Sequence, residues 1–205
     1  MKKELKDLST EEKIKAAARK IFTRKGYSAT RTRDIAEEAG LNLALLNYYF
    51  RSKEKLFDIV MLENFGQFLH GVQALLNDKA TSLEQKIVAL VDFYITQMMA
   101  NPDLPFFVLS ELRSNPKKLQ AKGFTRDVLQ RSFFLQQLTE ELKKRKKTDV
   151  HPLHFVVNTF SMTIFPFMAA PLIREVGALG EEDFRKMMDQ RRKLIPAWIL
   201  QLIQQ

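Results

Sequence analysis

The chain has 205 residues, 45% hydrophobic and 28% charged, the balance of an ordinary globular protein. It has no cysteine, which excludes disulfides, Cys-ligated zinc and thiol nucleophiles. The net charge of +9 is uneven: residues 1–55 hold 14 Lys/Arg against 8 Asp/Glu, whereas the remaining 150 residues hold 19 against 16, so a basic front on a nearly balanced body points to a polyanionic partner.

The dominant period is helical. Ile14, Ala17, Ala18, Ile21 and Phe22 fall at i, i+3, i+4, i+7 and i+8, one apolar stripe. Ser9 and Glu12 read as a capping box at its start, and Gly26 as its stop. A short helix is expected from about Thr32 to Ala39, ending at Gly40. Asn42 caps a third, to about Tyr49. Ser52 caps a long one carrying Leu56, Val60, Met61 and Phe68, which ends at Asn77-Asp78. Ser82 and Gln85 open a helix that is apolar on nearly every side until Asn101-Pro102. A short helix over 105–113 precedes Asn115-Pro116. A longer one carries Leu129, Phe133, Leu138 and Leu142 into a basic run at 143–147. The last two span about 150–173, after Asp149, and 181–203, after Gly180.

No β-alternating run or hairpin signal interrupts this pattern. The expected fold class is all-α with about nine helices. All seven prolines lie at or after Pro102, and 14 of the 16 Phe lie beyond residue 55, so the composition changes near residue 50. The boundary is placed at 1–51 and 52–205. Residues 1–7 lack the apolar core of a signal peptide, and no run of about 18 apolar residues occurs. A cytoplasmic protein without a membrane partner is expected.

The stretch from Thr32 to Phe50 has the parts of a helix-turn-helix: a small contact residue (Ala36), a turn glycine (Gly40) and core plugs (Leu41, Leu46). The plain alternative is three helices of some larger core. Arg33 can reach a guanine edge with two donors, a phosphate, or only solvent.

Three stretches carry a resemblance: Gly26-Tyr27-Ser28-Ala29-Thr30, Arg33-Asp34-Ile35-Ala36-Glu37-Glu38-Ala39-Gly40-Leu41 and Tyr48-Tyr49-Phe50-Arg51-Ser52-Lys53-Glu54-Lys55-Leu56. Over about residues 10–57 the chain closely resembles the TetR/AcrR family of bacterial transcriptional regulators. The resemblance implies a homodimer whose helix-turn-helix head, 1–51, binds a palindromic operator in double-stranded DNA. It implies that the C-terminal domain, 52–205, dimerises and binds a small molecule that releases the DNA, most simply as a repressor. Thr30, Thr32, Tyr48 and Lys53 match family positions that hold the DNA backbone, and Arg33 matches one that contacts bases.

The chain departs from the family pattern at Asn47, where Tyr is usual. Leu43, Ala44 and Leu45 leave the recognition helix poor in donors, though Leu43 or Leu45 can meet a thymine methyl, or else pack. Base choice is therefore expected to rest on Arg31, Arg33, Asn42 and Asn47.

The same resemblance puts an effector pocket among the middle helices. Phe93, Met98, Phe107, Leu109, Phe133 and Phe160 are its expected lining, for an apolar effector. Asp92, Glu111 and Asp127 are candidates to attract a cationic one. The expected dimer surface is Phe155, Phe160, Ile164, Leu194, Trp198 and Ile199. His151 and His154 share a helix face but lack further ligands, so neither a metal nor a cofactor is expected. An all-α enzyme and a helical adaptor with a vestigial head are the competing classes. The first lacks HExxH, a Gly-rich phosphate loop and a paired Ser-His-Asp set.

Overall fold

The computed structural model describes the backbone of residues 2–205 and the side chains from Thr10 onward. The described residues form α1 (Lys2–Ala29), α2 (Thr32–Glu38), α3 (Leu43–Phe50), α4 (Lys53–Asn77), α5 (Leu83–Ala100) and α6 (Leu104–Ser114). They continue as α7 (Pro116–Ala121), α8 (Asp127–Gln130), α9 (Phe133–Lys144), α10 (Leu153–Met168), α11 (Ala170–Val176) and α12 (Glu181–Gln204). No strand occurs among them.

The all-α class holds, but the count does not: there are twelve helices among the described residues, not about nine. Local stops make the difference. Ser132 accepts a hydrogen bond from the Leu135 backbone N–H, so α9 starts afresh at Phe133 and leaves α8 as a single turn. Pro116 opens α7 as a further short piece. The helix expected over 150–173 breaks at Ala169. Pro171 has no N–H to give and its ring crowds the carbonyl four residues back, and the chain bends by 73° between α10 and α11. Its start also moves, from about Val150 to Leu153. At the other end, α1 begins upstream of the expected Ser9, whose side chain lies outside the described residues. The chain leaves helical geometry at Gly26 (φ 73, ψ 167), where the stop was expected.

One hydrophobic core runs from α1 to α12. Ile14, Ala18, Ile21 and Phe22 of α1 are buried with Ile35 of α2, Leu46 of α3 and Leu56 of α4. Further on, α5 packs against α4, α10 and α12. There Ile87, Val91, Ile95, Met188, Ile195 and Ile199 are almost wholly buried, each burial worth about 1.5–3 kcal/mol against leaving the side chain in water. The α4–α5 seam is unusually close at Gly71, where a Cβ would lie 2.4 Å from Cζ of Phe93. No single helix among the described residues is long and apolar enough to cross a membrane.

One buried cation organises the α4–α5 loop. Lys86, 1% exposed, donates to the Thr81 carbonyl and hydroxyl, both at 2.7 Å, and to the Asp78 carbonyl. Its ammonium lies 5.0 Å from the centre of the Phe133 ring.

Candidate functional site

The α2–α3 pair is shaped by caps. Arg31 is extended before α2, and its backbone N–H donates to the Asp34 carboxylate at 3.0 Å. That bond, with Lys25 at 3.0 Å, holds the Asp34 carboxyl below its usual range. At the other end of α2 the Gly40 N–H reaches the Glu37 carbonyl (3.0 Å) and the Leu41 N–H the Ala36 carbonyl (2.9 Å). This paired closure needs a left-handed residue, and Gly40 supplies it at φ 66 without strain. The Leu45 N–H then donates to the Asn42 side-chain oxygen at 2.8 Å, starting α3. Ala36 and Leu46, at 2% and 0% exposure, fill the contact between the helices.

The expected DNA-facing residues divide into two sets. Arg31, Arg33, Asn42 and Asn47 are exposed, Tyr48 is 79% exposed, and Thr32 and Leu43 are half-buried. Arg33 makes no ion pair with the described residues. Asn42 has spent its side-chain oxygen on the cap, which leaves its NH₂ to offer. Thr30 and Lys53 have internal partners. The Thr30 hydroxyl is buried and donates to the Gly26 carbonyl at 2.7 Å. Lys53 donates to the Tyr27 and Thr30 carbonyls, both at 3.0 Å, and its ammonium lies 4.2 Å from the centre of the Tyr27 ring. These two residues hold the turn that leads into α2.

That turn is also tied to α6. The Tyr27 N–H donates to the Asp103 carboxylate at 3.1 Å. Phe57 of α4 stands between the Tyr27 ring (4.6 Å between centres) and the Phe107 ring of α6 (6.1 Å). Lys15 and Arg19 of α1 reach Glu63 of α4 at 2.9 and 3.0 Å. Sequence reading missed Asp103 because its partner lies 76 residues away.

Behind α6 lies apolar space. A cavity of about 590 Å³ opens between α4 and the α6–α8 segment, and one of about 290 Å³ adjoins it toward α5 and α10. Phe65, Phe68, Tyr94, Leu112, Phe124 and Phe160 line both. Of the expected lining, Met98, Leu109 and Phe160 face this space. The other three pack elsewhere: Phe93 stacks on Phe68 (5.7 Å), Phe107 meets Phe57, and Phe133 lies under Lys86. Burial pushes the Tyr94 phenol well above its ordinary pKa, so it stays neutral. None of the three carboxylates offered for a cationic ligand lines either cavity. Asp92 pairs with Arg192 (2.6 Å), Glu111 with Lys118 (3.2 Å) and Asp127 with Arg131 (3.4 Å).

Among the residues expected at a dimer surface, Leu194 and Trp198 are exposed and Ile164 is half-buried. Phe155 and Ile199 are buried within their own chain. Val157 and Phe165 of α10 and Leu202 of α12, not foreseen, add exposed apolar surface. His151 and His154 are both exposed.

Residues 14–60 match the family model of bacterial regulatory proteins of the tetR family. Over this segment the chain is similar to the TetR family. The chain is 26% identical over 196 residues to the Bacillus subtilis protein named "Probable HTH-type transcriptional regulator YttP", covering 94% of the chain and 93% of that protein. It is 26% identical over 106 residues to the fatty acid metabolism regulator protein of the same organism, about half of each (52% and 54%). Its fold is shared with the transcriptional regulator FadR from Bacillus subtilis, solved in complex with stearoyl-CoA. The TM-score is 0.56 at 17% identity, over 90% of this chain and 96% of that one. The TetR-family regulator PfmR of Thermus thermophilus gives 0.55 at 20% identity, over 90% and 97%. The α2–α3 pair is thus the DNA-binding helix-turn-helix that this segment shares with bacterial regulatory proteins of the tetR family.

Proposed function

We propose that this TetR-family protein is a homodimeric repressor that a small lipophilic effector releases from a palindromic operator. Residues 1–51 form the DNA-binding domain, and residues 52–205 bind the effector and dimerise. The protein works in the cytoplasm, without a cofactor, and is not an enzyme. One observation carries the reading: α6 joins the two ends. Asp103, at its start, holds the Tyr27 N–H of the turn before α2, while Leu104, Pro105 and Val108 line the cavity.

α3 is the helix for the major groove. Arg31, Arg33, Asn42 and Asn47 offer donors to base edges, Leu43 offers a methyl contact to thymine, and Thr32 and Tyr48 bind phosphate. Thr30 and Lys53 act on DNA through the turn they hold. An effector that fits only when α6 shifts favours a conformation in which the turn, and with it α3, is displaced from the operator. The apolar lining suits a lipophilic effector, as do two likenesses: one protein named for fatty acid metabolism and one solved with stearoyl-CoA. Exposed Val157, Phe165, Leu194 and Trp198 on α10 and α12 give a second copy an apolar face to cover.

Selection of binding fragments from genomic DNA, followed by footprinting, tests the reading. Two protected half-sites about one helical turn or a multiple of it apart are expected. With about 6–10 phosphates contacted, affinity should fall about 10³–10⁵-fold between 50 and 200 mM salt. No selected fragment, a flat salt response, or a stable monomer in sedimentation at micromolar concentration overturns it.

A further inference from the structure

The charge of the body is as uneven as that of the whole chain. Residues 113–131 carry six Lys/Arg against one acid, Asp127, a net of +5. Residues 56–205 together are only +3, so the rest of the body is net negative. This basic segment is the last residues of α6, then α7, α8 and the turns beside them, and much of it walls one side of the larger cavity. Two of its cations are committed: Lys118 to Asp58 and Glu111, and Arg131 to Asp127. Arg113, Lys117, Lys122 and Arg126 make no ion pair with the described residues.

The cavity is polar at one end only. Gln120, Thr125, Arg126 and Gln130 are its polar lining, all from the basic segment. The adjoining space toward Met98, Ile164 and Met168 is walled by apolar side chains and Tyr94. Among the described residues no carboxylate lines either part. A site with one cationic end and one apolar end is complementary to a ligand with a head and a tail, and it repels a cationic head.

We propose that the cavity binds a long-chain aliphatic amphiphile with an anionic head. The tail lies among Phe65, Phe68, Tyr94 and Phe160, and the head meets Arg126 and the exposed Lys122 at the α7–α8 side. This deepens the effector reading and rests on it only for its consequence on DNA. A free carboxylate and an acyl thioester of a phosphate-bearing carrier share this chemistry. The carrier's head is longer and more highly charged, so it can draw on further unpaired cations of the basic segment, Arg113 and Lys117.

The test is calorimetric titration of the full chain, without DNA, with dodecanoate, dodecanoyl-CoA, dodecanol and dodecyltrimethylammonium. The anions should bind at least tenfold more tightly than the alcohol, and the cation more weakly than the alcohol. Affinity should rise about fourfold per methylene from eight to twelve carbons. The double variant K122Q/R126Q, folded by its thermal transition, should lose about tenfold toward the anions and nothing toward dodecanol. If dodecanoyl-CoA binds more tightly than dodecanoate and R113Q/K117Q abolishes the difference, the head is that of a carrier thioester. Equal binding marks a carboxylate head.

A cation that binds as tightly as the anions overturns the proposal. So does a double variant that binds anions like the parent, or the failure of all four probes to bind. Operator occupancy is measured separately. Anions that bind as expected but leave the DNA complex intact defeat the effector reading and keep this site. A neutral or cationic lipophile that releases the DNA, while anions hold no preference, defeats this site and keeps the effector reading.

Discussion

The helix-turn-helix and the cavity are put together in different ways. Around α2 and α3, each bend is closed by groups within five residues of one another: Arg31 with Asp34, Ala36 with Leu41, Asn42 with Leu45. The cavity wall is drawn from α4, α5, α6 and α10 and from the α7–α8 turns, and its rings meet across those helices. Short-range closure gives the DNA-binding pair one fixed shape. Long-range assembly leaves the cavity an adjustable volume, and the exposed apolar surface of Leu112 and Phe124 lies at its edge.

The contrast can be broken by substitution. Leu46→Ala should destabilise the fold by about 2–5 kcal/mol, since the side chain is fully buried in a filled contact. Phe68→Ala should cost less, although it removes a larger side chain, because the ring already borders empty space. Denaturant unfolding of both variants checks this, and equal losses would erase the distinction. Arg33→Ala should cost about 1–3 kcal/mol of discrimination at one base pair while leaving stability unchanged. A binding-selection profile identical to the parent's would remove Arg33 from base readout.

Asp103→Ala should cost about 1 kcal/mol of stability for the lost Tyr27 hydrogen bond, and it should blunt effector-driven release at unchanged effector affinity. Release measured at saturating effector decides it: full release in the variant means that α6 and the turn communicate by another route. Gly40→Ala should cost about 1 kcal/mol. The space beside Gly40 is open, so the cost comes from the left-handed backbone alone. Arg51 sits at φ 55 between α3 and α4, so Arg51→Gly should stabilise by less than about 1 kcal/mol. Thermal midpoints rank the last two.

The same contrast explains what could be read from the chain alone. Gly40, Asn42, Ser52 and Leu46 were legible because each obeys a rule that spans only a few residues. Thr30 and Lys53 matched family positions for phosphate, but their carbonyl partners lie elsewhere in the chain and only the folded turn reveals them. In the body, Phe133 and Phe160 look alike in sequence. One lies under the Lys86 ammonium and the other faces the cavity, and that difference is set by tertiary packing. The helix count missed α11 because the proline that ends α10 stands five residues beyond another, Pro166, that its helix absorbs.

Gly71 adds a mechanical consequence. With the Phe93 ring seated against its backbone, α4 is clamped to α5 about three-quarters of the way along its length. The helical rise from Lys53 to Gly71 makes an arm of about 27 Å. A tilt of about 5° at this fulcrum would carry the Lys53 end sideways by about 2 Å. That end holds the Tyr27–Thr30 turn through the Lys53 ammonium, so a displacement smaller than an atom's diameter beside the cavity is magnified before it reaches the DNA-binding helices.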